Sequence, residues 1–351
     1  MNVYAVTNSS EVAAALRECV AASRRVHLFG RGTRNRWQAA PPAAAVTLSL
    51  RGLSSILRLE PDDLTCSVEP GVPCQELAMA LRQKGLELGC LDADDSGSIG
   101  GLYASDPLGA PNPGASSPRS TLLGIEGVLA EGLEFRSGAR VVKSVAGFDV
   151  HRLFVGSHGL LYAATLLHLK LRPAPRVRAA FTTDTLDVAG AVDKFIEMRR
   201  NPTMPRRLVL VREASGCRVA GVFAGRARQV ASLLQQHSLR EVDKAPQDHL
   251  QQPPADRELV VGIVRASKIA ALADILPAAA PLLVHGGGQF EAILTPAEVD
   301  VLFTALPALE AHAAIAIGAP SRVRRTTPLD QGAARLQRDL RSALDPHSVL
   351  A

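Results

Sequence analysis

Apolar positions at the start of the chain recur every three to four residues. Val12, Leu16, Cys19 and Val20 share one stripe, Asn8 stands at a cap position and Glu11 follows three residues on, so Asn8 to Val20 is predicted to be a helix. Val26 to Phe29 and Thr47 to Leu50 are apolar runs of strand length, and the first runs into Gly30-Arg31-Gly32-Thr33. Leu64 to Glu69 alternates in character and stops at the Pro70-Gly71 turn. Pro73 to Lys84 begins on a proline, carries Leu77, Ala78 and Leu81 on one face and ends before Gly85, which suits a left-handed residue just past a helix. Leu122 to Leu129 and Leu160 to Leu171 read as strands. Residues 92 to 120 show no period and are rich in Asp, Gly, Ser and Pro; such stretches inside compact domains are usually functional or disordered.

Pro173-Ala174-Pro175 punctuates the chain. Beyond it the pattern predicts strand 177–183, helix 186–200, strands 207–213 and 217–224, and helix 226–237. A Gln- and Pro-rich linker, 246–256, precedes strand 258–264, helix 267–276, strands 281–285 and 288–294, helix 296–309 and strand 313–317. Strand–helix–strand–strand order points to an antiparallel sheet with helices on one face, although the sequence itself shows no clear repeat. The expected class is α+β, with one domain over 1–173 and a C-terminal α+β cap or substrate-side domain over 176–351.

Composition narrows the functions. The 351 residues are 47% hydrophobic, enough for full cores, and only 4% aromatic, so no base-stacking platform stands out. The net charge of +5 is spread over pairs such as Arg24-Arg25, Arg199-Arg200 and Arg324-Arg325, which read as solvated surface; no nucleic-acid partner is expected. Cys19, Cys66, Cys74, Cys90 and Cys217 have no metal-binding or iron–sulfur spacing, and a reducing compartment suits them. Met1 to Ser10 lacks a charged start and an apolar run, so no signal peptide is expected. No stretch reaches the roughly 18 to 20 apolar residues that span a bilayer.

Four glycine-bearing segments carry the candidate chemistry. Gly30-Arg31-Gly32-Thr33 follows a strand, where glycines allow close backbone approach and successive N–H groups can form a nest for a pyrophosphate. A nicotinamide fingerprint is disfavoured, because the third glycine is missing and no helix pattern follows. Gly97-Ser98-Ile99-Gly100-Gly101 opens a short apolar run, so its N–H groups could also face an anion. Arg119 and Ser120 precede Gly124 at the head of a strand. The stretch from Lys143 to Gly159 packs Lys143, Gly147, Asp149, Arg152, Gly156 and Gly159 into one short span. Each segment alone could be an ordinary turn or loop.

Together and in this order the segments resemble the FAD-binding fold of the vanillyl-alcohol oxidase and p-cresol methylhydroxylase flavoproteins, and within it the small flavin subunits of bacterial glycolate oxidases. The nearest stretch is Val142-Lys-Ser-Val-Ala-Gly-Phe-Asp-Val-His-Arg-Leu-Phe-Val-Gly-Ser-His-Gly159, joined by Leu50-Arg-Gly-Leu53, Glu69-Pro-Gly-Val-Pro73, Gly100-Gly101, Arg119, Leu123-Gly124 and Leu344-Asp-Pro346. The likeness is strong over residues 26 to 175 and faint beyond. It implies a two-subdomain FAD-binding fold of the p-cresol methylhydroxylase type followed by an α+β domain with an antiparallel sheet. Gly30 to Thr33 would then hold the pyrophosphate. Gly97, Ser98, Gly100 and Gly101 would line pyrophosphate and flavin. Arg119, Ser120 and Gly124 would lie near the flavin, and Lys143, Gly147, Asp149, Gly156 and Gly159 towards the adenosine.

The pattern departs from the family at Arg31, where a glycine is usual, at Ser120, where Asp often stands, and at Ser144, where Asn is usual. Arg31 is expected either to point outward or to weaken binding. No histidine suited to a covalent flavin bond lies in the 30–37 loop, so FAD is expected to be non-covalent. The resemblance further implies glycolate oxidation to glyoxylate through flavin, a larger FAD-binding catalytic subunit and an iron–sulfur subunit as partners, and a small 2-hydroxy acid substrate. The cysteine usage points to a cytoplasmic location, with attachment at the inner membrane through partners as an option. A scaffold that has lost flavin and a self-sufficient FAD oxidoreductase stay open as alternatives. The large subunits of the family carry a metal-linked histidine cluster in the second domain; none is evident here, so no metal is expected. His237, His249 and His312 are read as surface or packing residues and His285 as structural. Catalytic residues stay unassigned.

Overall fold

A computed structural model describes residues 3–33, 45–91, 95–105, 114–140, 149–244, 249–318 and 331–351. The chain forms two compact units. The first comprises Met1–Gly109, Ser117–Ala174 and Leu329–Ala351; the second comprises Ala110–Ser116 and Pro175–Pro328.

The first unit opens with a parallel sheet of β1 (Val3–Ala5), β2 (Val26–Phe29) and β3 (Val46–Ser49), in the order β1-β3-β2. Helix α1 (Ser9–Ala21) makes the crossover from β1 to β2. The Asn8 side chain accepts from the Glu11 N–H at 2.9 Å, and the Glu11 carboxylate accepts from the Thr7 N–H at 2.8 Å, so two otherwise orphaned donors are satisfied at the helix start. Val12, Leu16 and Cys19 then fall on the buried stripe that meets Val26, Val46 and Leu48.

A five-stranded antiparallel sheet follows, made of β4 (Ile56–Glu60), β5 (Thr65–Val68), β7 (Leu122–Val128), β8 (Glu134–Gly138) and β9 (Ala163–Lys170), in the order β4-β5-β9-β7-β8. Helix α2 (Cys74–Gln83) packs Cys74, Leu77 and Leu81 into the core beneath it. Gly85 takes a positive φ of 67° just past the helix, where a side chain would be strained. The short strands β6 (Leu86–Glu87) and β10 (Arg172–Pro173) pair with each other, joined by an Arg172–Glu87 ion pair at 2.7 Å. Two short helices, α3 (Ile99–Ala104) and α4 (Pro118–Thr121), complete this part.

The second unit carries one antiparallel sheet of eight strands. They are β11 (Val177–Thr182), β12 (Arg207–Glu213), β13 (Gly216–Gly225), β14 (Arg240–Val242), β15 (Glu258–Ile263), β16 (Leu282–His285), β17 (Gln289–Leu294) and β18 (His312–Ile317). Their order, β14-β11-β13-β12-β16-β17-β15-β18, is the same four-strand pattern twice, joined edge to edge between β12 and β16. Helices α5 (Val188–Arg200), α6 (Ala227–Gln236), α7 (Ile269–Ile275) and α8 (Pro296–Ala305) all contribute to a single core on one face, with Phe181, Phe195, Phe223 and Phe290 at its centre. The repeat is in strand order and not in sequence, because each half needs only the alternation of apolar residues towards its own helices.

The chain end departs from expectation. Residues 329–351 belong to the first unit and not to a domain running from 176 to the end. Helix α9 (Gln331–Leu344) precedes Val349 and Leu350, which are buried against Val26 and Val46. The Val26 N–H donates to the Val349 carbonyl at 2.7 Å and the Ala351 N–H to the Val26 carbonyl at 2.9 Å, extending the parallel sheet. Asp345 is buried and accepts from the Val349 and Leu350 N–H groups at 2.8 and 2.9 Å, which turns the chain back. Two apolar residues in a polar tail give little periodic signal, so the sequence alone does not place them in this core.

Candidate cofactor site

A groove in the first unit is walled by the end of β2 with the following loop, by α3 and by the loop before β9. Its lining includes Gly30, Arg31, Gly32, Thr33, Ser98, Gly100, Gly101, Ser157, His158 and Gly159, and it encloses about 780 Å³ including its open mouth. Three of the four sequence segments therefore converge on one place.

The Gly30–Thr33 turn is fixed from outside. The Arg51 Nε donates to the Gly30 carbonyl at 2.8 Å, and its guanidinium lies 5.0 Å from the centre of the Phe29 ring. Arg31 is exposed and its Nε donates to the Ser96 carbonyl at 3.1 Å. The long side chain in the glycine place thus lies along a neighbouring loop and leaves room in the groove. Gly32 has a φ of 73°, which an L side chain resists, and this left-handed turn is the conformation that can point successive N–H groups at an anion.

The second glycine segment works differently from its sequence reading. The Gly97 N–H donates to Asp95 Oδ1 at 2.7 Å, that of Ile99 to the Val72 carbonyl at 2.9 Å, that of Gly100 to the Pro70 carbonyl at 2.7 Å and that of Gly101 to Ser98 Oγ at 3.3 Å. These donors serve the protein. The glycines are needed for proximity instead: a Cβ on Gly100 would stand 2.6 Å from Pro70 Cβ, and one on Gly30 would stand 2.8 Å from Ser98 Oγ. The backbone of residues 30–33 is therefore the wall suited to a pyrophosphate.

On the third wall, the N–H groups of Gly156 and His158 donate to the carbonyls of Tyr103 and Ala104 at 2.9 and 2.8 Å, closing the end of α3. Gly156, His158 and Gly159 all have positive φ, at 79°, 52° and 74°. A non-glycine residue in this region stores strain, and such strain gathers at ligand sites. Burial holds the His158 imidazole below the usual histidine range, so it faces the groove neutral. Ser157 Oγ is buried with no hydrogen-bond partner among the described residues. A buried hydroxyl left unpaired is costly, and a polar ligand group in the groove would relieve it. Glycine backbone, this hydroxyl and the apolar surfaces of Leu28, Ala104 and Tyr162 fit a long cofactor with a charged middle and apolar ends.

The other expected residues lie outside the lining. Arg119 and Ser120 are exposed on α4, where Ser120 completes a capping box with Ser117. Gly124 sits in β7, where a Cβ would stand 2.9 Å from the nitrogen of Ala139, just past the end of β8. Asp149 is exposed and pairs with Arg152 at 3.2 Å, and Gly97 and Gly156 flank the groove. Lys143 and Gly147, with Ser144, fall outside the described residues. Sequence reasoning missed Pro70, Ser157, His158 and Tyr162. Pro70 lies in a turn already marked as a strand end, and Ser157 and His158 lie inside the Gly156–Gly159 segment; Tyr162 had no signal.

In the second unit, donor atoms of His249, His285 and Glu291 lie within 4.8 Å of one another. The sequence expected no metal and gave these histidines surface or structural roles. They come together because strand pairing, not linear spacing, sets their distance.

The first unit has the FAD-binding fold of the p-cresol methylhydroxylase type. Residues 2–138 match the family described as FAD binding domain, so the first unit carries such a domain and FAD is its cofactor. Among similar proteins, the glycolate oxidase subunit GlcD of Bacillus subtilis is 30% identical over 220 residues, covering 58% of this chain and 46% of that protein. The glycolate oxidase subunit GlcE of Escherichia coli is 28% identical over 184 residues, covering 52% of each. A probable mitochondrial D-lactate dehydrogenase of Danio rerio is 30% identical over 173 residues, covering 48% of this chain and 35% of that protein. The chain spans about half the length, or less, of these relatives. Two solved structures of alkyldihydroxyacetonephosphate synthase superpose with TM-scores of 0.69 and 0.70 over 99% of this chain, and 75% and 76% of theirs, at 13% identity; this likeness concerns the fold. No helix among the described residues is long and apolar enough to cross a membrane.

Proposed function

We propose that this chain is the FAD-binding subunit of a 2-hydroxy acid oxidase or dehydrogenase, with glycolate oxidised to glyoxylate as the reaction. The observation that carries the reading is the groove of residues 30–33, 98–101 and 157–159 inside an FAD-binding fold, in a chain similar to two glycolate oxidase subunits. FAD, held non-covalently, supplies acceptance of the two electrons that leave the hydroxyl-bearing carbon. The residues of this chain bind and orient it. The Gly30–Thr33 backbone would face the pyrophosphate, Ser157 Oγ would give it or the flavin one hydrogen bond, and His158 would shape the wall.

The chain works beside a larger FAD-binding catalytic subunit and an iron–sulfur subunit, in the cytoplasm, with any membrane attachment made through those partners. The experiment is expression of the chain alone and with its partners. The chain alone should be yellow, with a flavin spectrum that glycolate does not bleach, and the complex should bleach and turn over. A colourless chain that binds no added FAD would favour a scaffold. A second reading, a self-sufficient oxidoreductase, is favoured by the titratable group at His249, His285 and Glu291; robust turnover by the chain alone would establish it.

A further inference from the structure

Residues Leu50–Gly52, between β3 and β4, make one turn of 3-10 helix. The turn is held on two sides. The Gly71 N–H donates to the Leu53 carbonyl at 2.7 Å, and a Cβ on Gly52 would collide with the Val6 carbonyl, so glycine lets the turn press against the end of β1. A fixed turn gives the Arg51 side chain a fixed origin. That side chain is exposed and takes no part in lining the groove. It reaches back to the turn after β2, where its Nε donates to the Gly30 carbonyl at 2.8 Å and its guanidinium lies over the Phe29 ring. Among the described residues no carboxylate pairs with Arg51, so its charge stays uncompensated behind this turn.

The direction of this bond decides where the next donor points. A peptide unit is planar and trans, so the Gly30 carbonyl and the Arg31 N–H point in opposite directions. Arg51 takes the carbonyl from the side away from the groove, which turns the Arg31 N–H towards the groove. The N–H groups of Arg31, Gly32 and Thr33 have no acceptor among the described residues, and all three residues line the groove. Successive donors of this kind make an anion nest. Gly30 has no Cβ, so the peptide unit that follows it can rotate at low cost. Rotated by half a turn, it would bring the carbonyl oxygen into the groove, where its partial negative charge opposes a pyrophosphate and one donor is lost. Among the described residues Arg51 is the only group that holds the Gly30 carbonyl.

We propose that Arg51 is a positioning residue for FAD. By holding the Gly30 carbonyl away from the groove, with its guanidinium seated over Phe29, it keeps the Arg31 N–H aimed at the pyrophosphate. Arg51 acts through the Gly30–Arg31 peptide. The proposal rests on the reading that residues 30–33 face the pyrophosphate.

The test is titration of the flavin-free full chain with FAD, read by fluorescence quenching, with circular dichroism as the check of folding. Arg51→Ala should stay folded and bind FAD about five- to tenfold more weakly, the loss of roughly one charge-assisted hydrogen bond at an exposed position. Ethylguanidinium in solution should restore part of that affinity to Arg51→Ala and leave the parent unchanged. Riboflavin, which has no pyrophosphate, should bind parent and variant alike. Arg51→Lys keeps the charge but loses the planar donor over Phe29, and should weaken FAD by about threefold. It carries the test if Arg51→Ala misfolds. Parent-like FAD affinity in either folded variant, or riboflavin weakened as much as FAD, would overturn the proposal. Gly32→Val separates this from the reading beneath it. If Gly32→Val weakens FAD and Arg51→Ala does not, the turn holds the cofactor without Arg51. If neither does, the turn does not face the cofactor, and both the reading and the proposal fall.

Discussion

Arg31 Nε and the Ser96 carbonyl, 3.1 Å apart, tie the turn after β2 to the loop that leads into α3. Two walls of one groove are thereby braced by a side chain that stands where related loops have a glycine. Arg31→Gly would remove the brace and restore chain freedom to the turn. A charge-assisted hydrogen bond contributes about 1.5–3 kcal/mol when shielded, and solvent exposure reduces this to roughly 0.5–1 kcal/mol. FAD should bind about two- to fivefold more weakly to Arg31→Gly, read by flavin fluorescence quenching. Tighter binding by the glycine variant would show that the brace hinders the cofactor.

Gly32 holds its turn at a φ of 73°. A valine there costs roughly 1–2 kcal/mol in backbone strain and crowds the wall. Gly32→Val should give a folded protein whose FAD affinity is at least about tenfold lower. Unchanged affinity with a native circular dichroism spectrum would mean that this turn does not face the cofactor.

Ser157 offers two opposite readouts. Its buried hydroxyl has no partner among the described residues, so Ser157→Ala should leave the melting temperature of the apo-protein unchanged or slightly raised. The same change should weaken FAD by about fivefold, close to 1 kcal/mol. Equal FAD affinity would place the hydroxyl outside the cofactor's reach.

Burial holds His151, His158 and His168 below the ordinary histidine range, with Glu126 partly opposing the effect at His168. In the unfolded chain each takes up a proton near pH 6.5, while the folded chain resists. The stability they contribute is complete above about pH 6.5 and is lost as pH falls through their folded values. The melting temperature should fall between pH 7 and pH 5, and less steeply in His158→Gln. Parallel slopes in the two proteins would remove His158 from this account.

Asp345 is a fifth point of leverage on the first unit. Its carboxylate takes two backbone N–H groups in a buried turn. Asp345→Ala should cost about 2–4 kcal/mol and lower the melting temperature by roughly 5–10 °C, measured by calorimetry. A loss within error would show that the turn is held by Val349 and Leu350 alone.

Local signals made most elements legible. Asn8 and Glu11 mark the start of α1, Gly85 the end of α2, and Gly30 and Gly32 the turn after β2. What escaped depends on distant partners. Strand β4 lies at a sheet edge and its Ile56-Leu-Arg-Leu-Glu60 run does not alternate cleanly, so it reads as loop. The N–H groups at the start of α3 looked available to an anion, but Val72 and Pro70 take them, and nothing near residue 99 in sequence says so. His249 is 42 residues from Glu291 and meets it only because β16 and β17 form a hairpin under the linker.

The return of Val349 and Leu350 to the sheet of Val26 has a bearing on how the protein is made. All of Pro175–Pro328 is synthesised between the two parts of the first unit's core. The eight-stranded unit is almost contiguous and can complete its fold while still tethered to the ribosome, since domains generally fold as units during synthesis. The parallel sheet, by contrast, waits with a gap beside Val26 until the last strand-like residues emerge. During that interval the nascent first unit keeps the apolar surface around Val26 and Val46 uncovered.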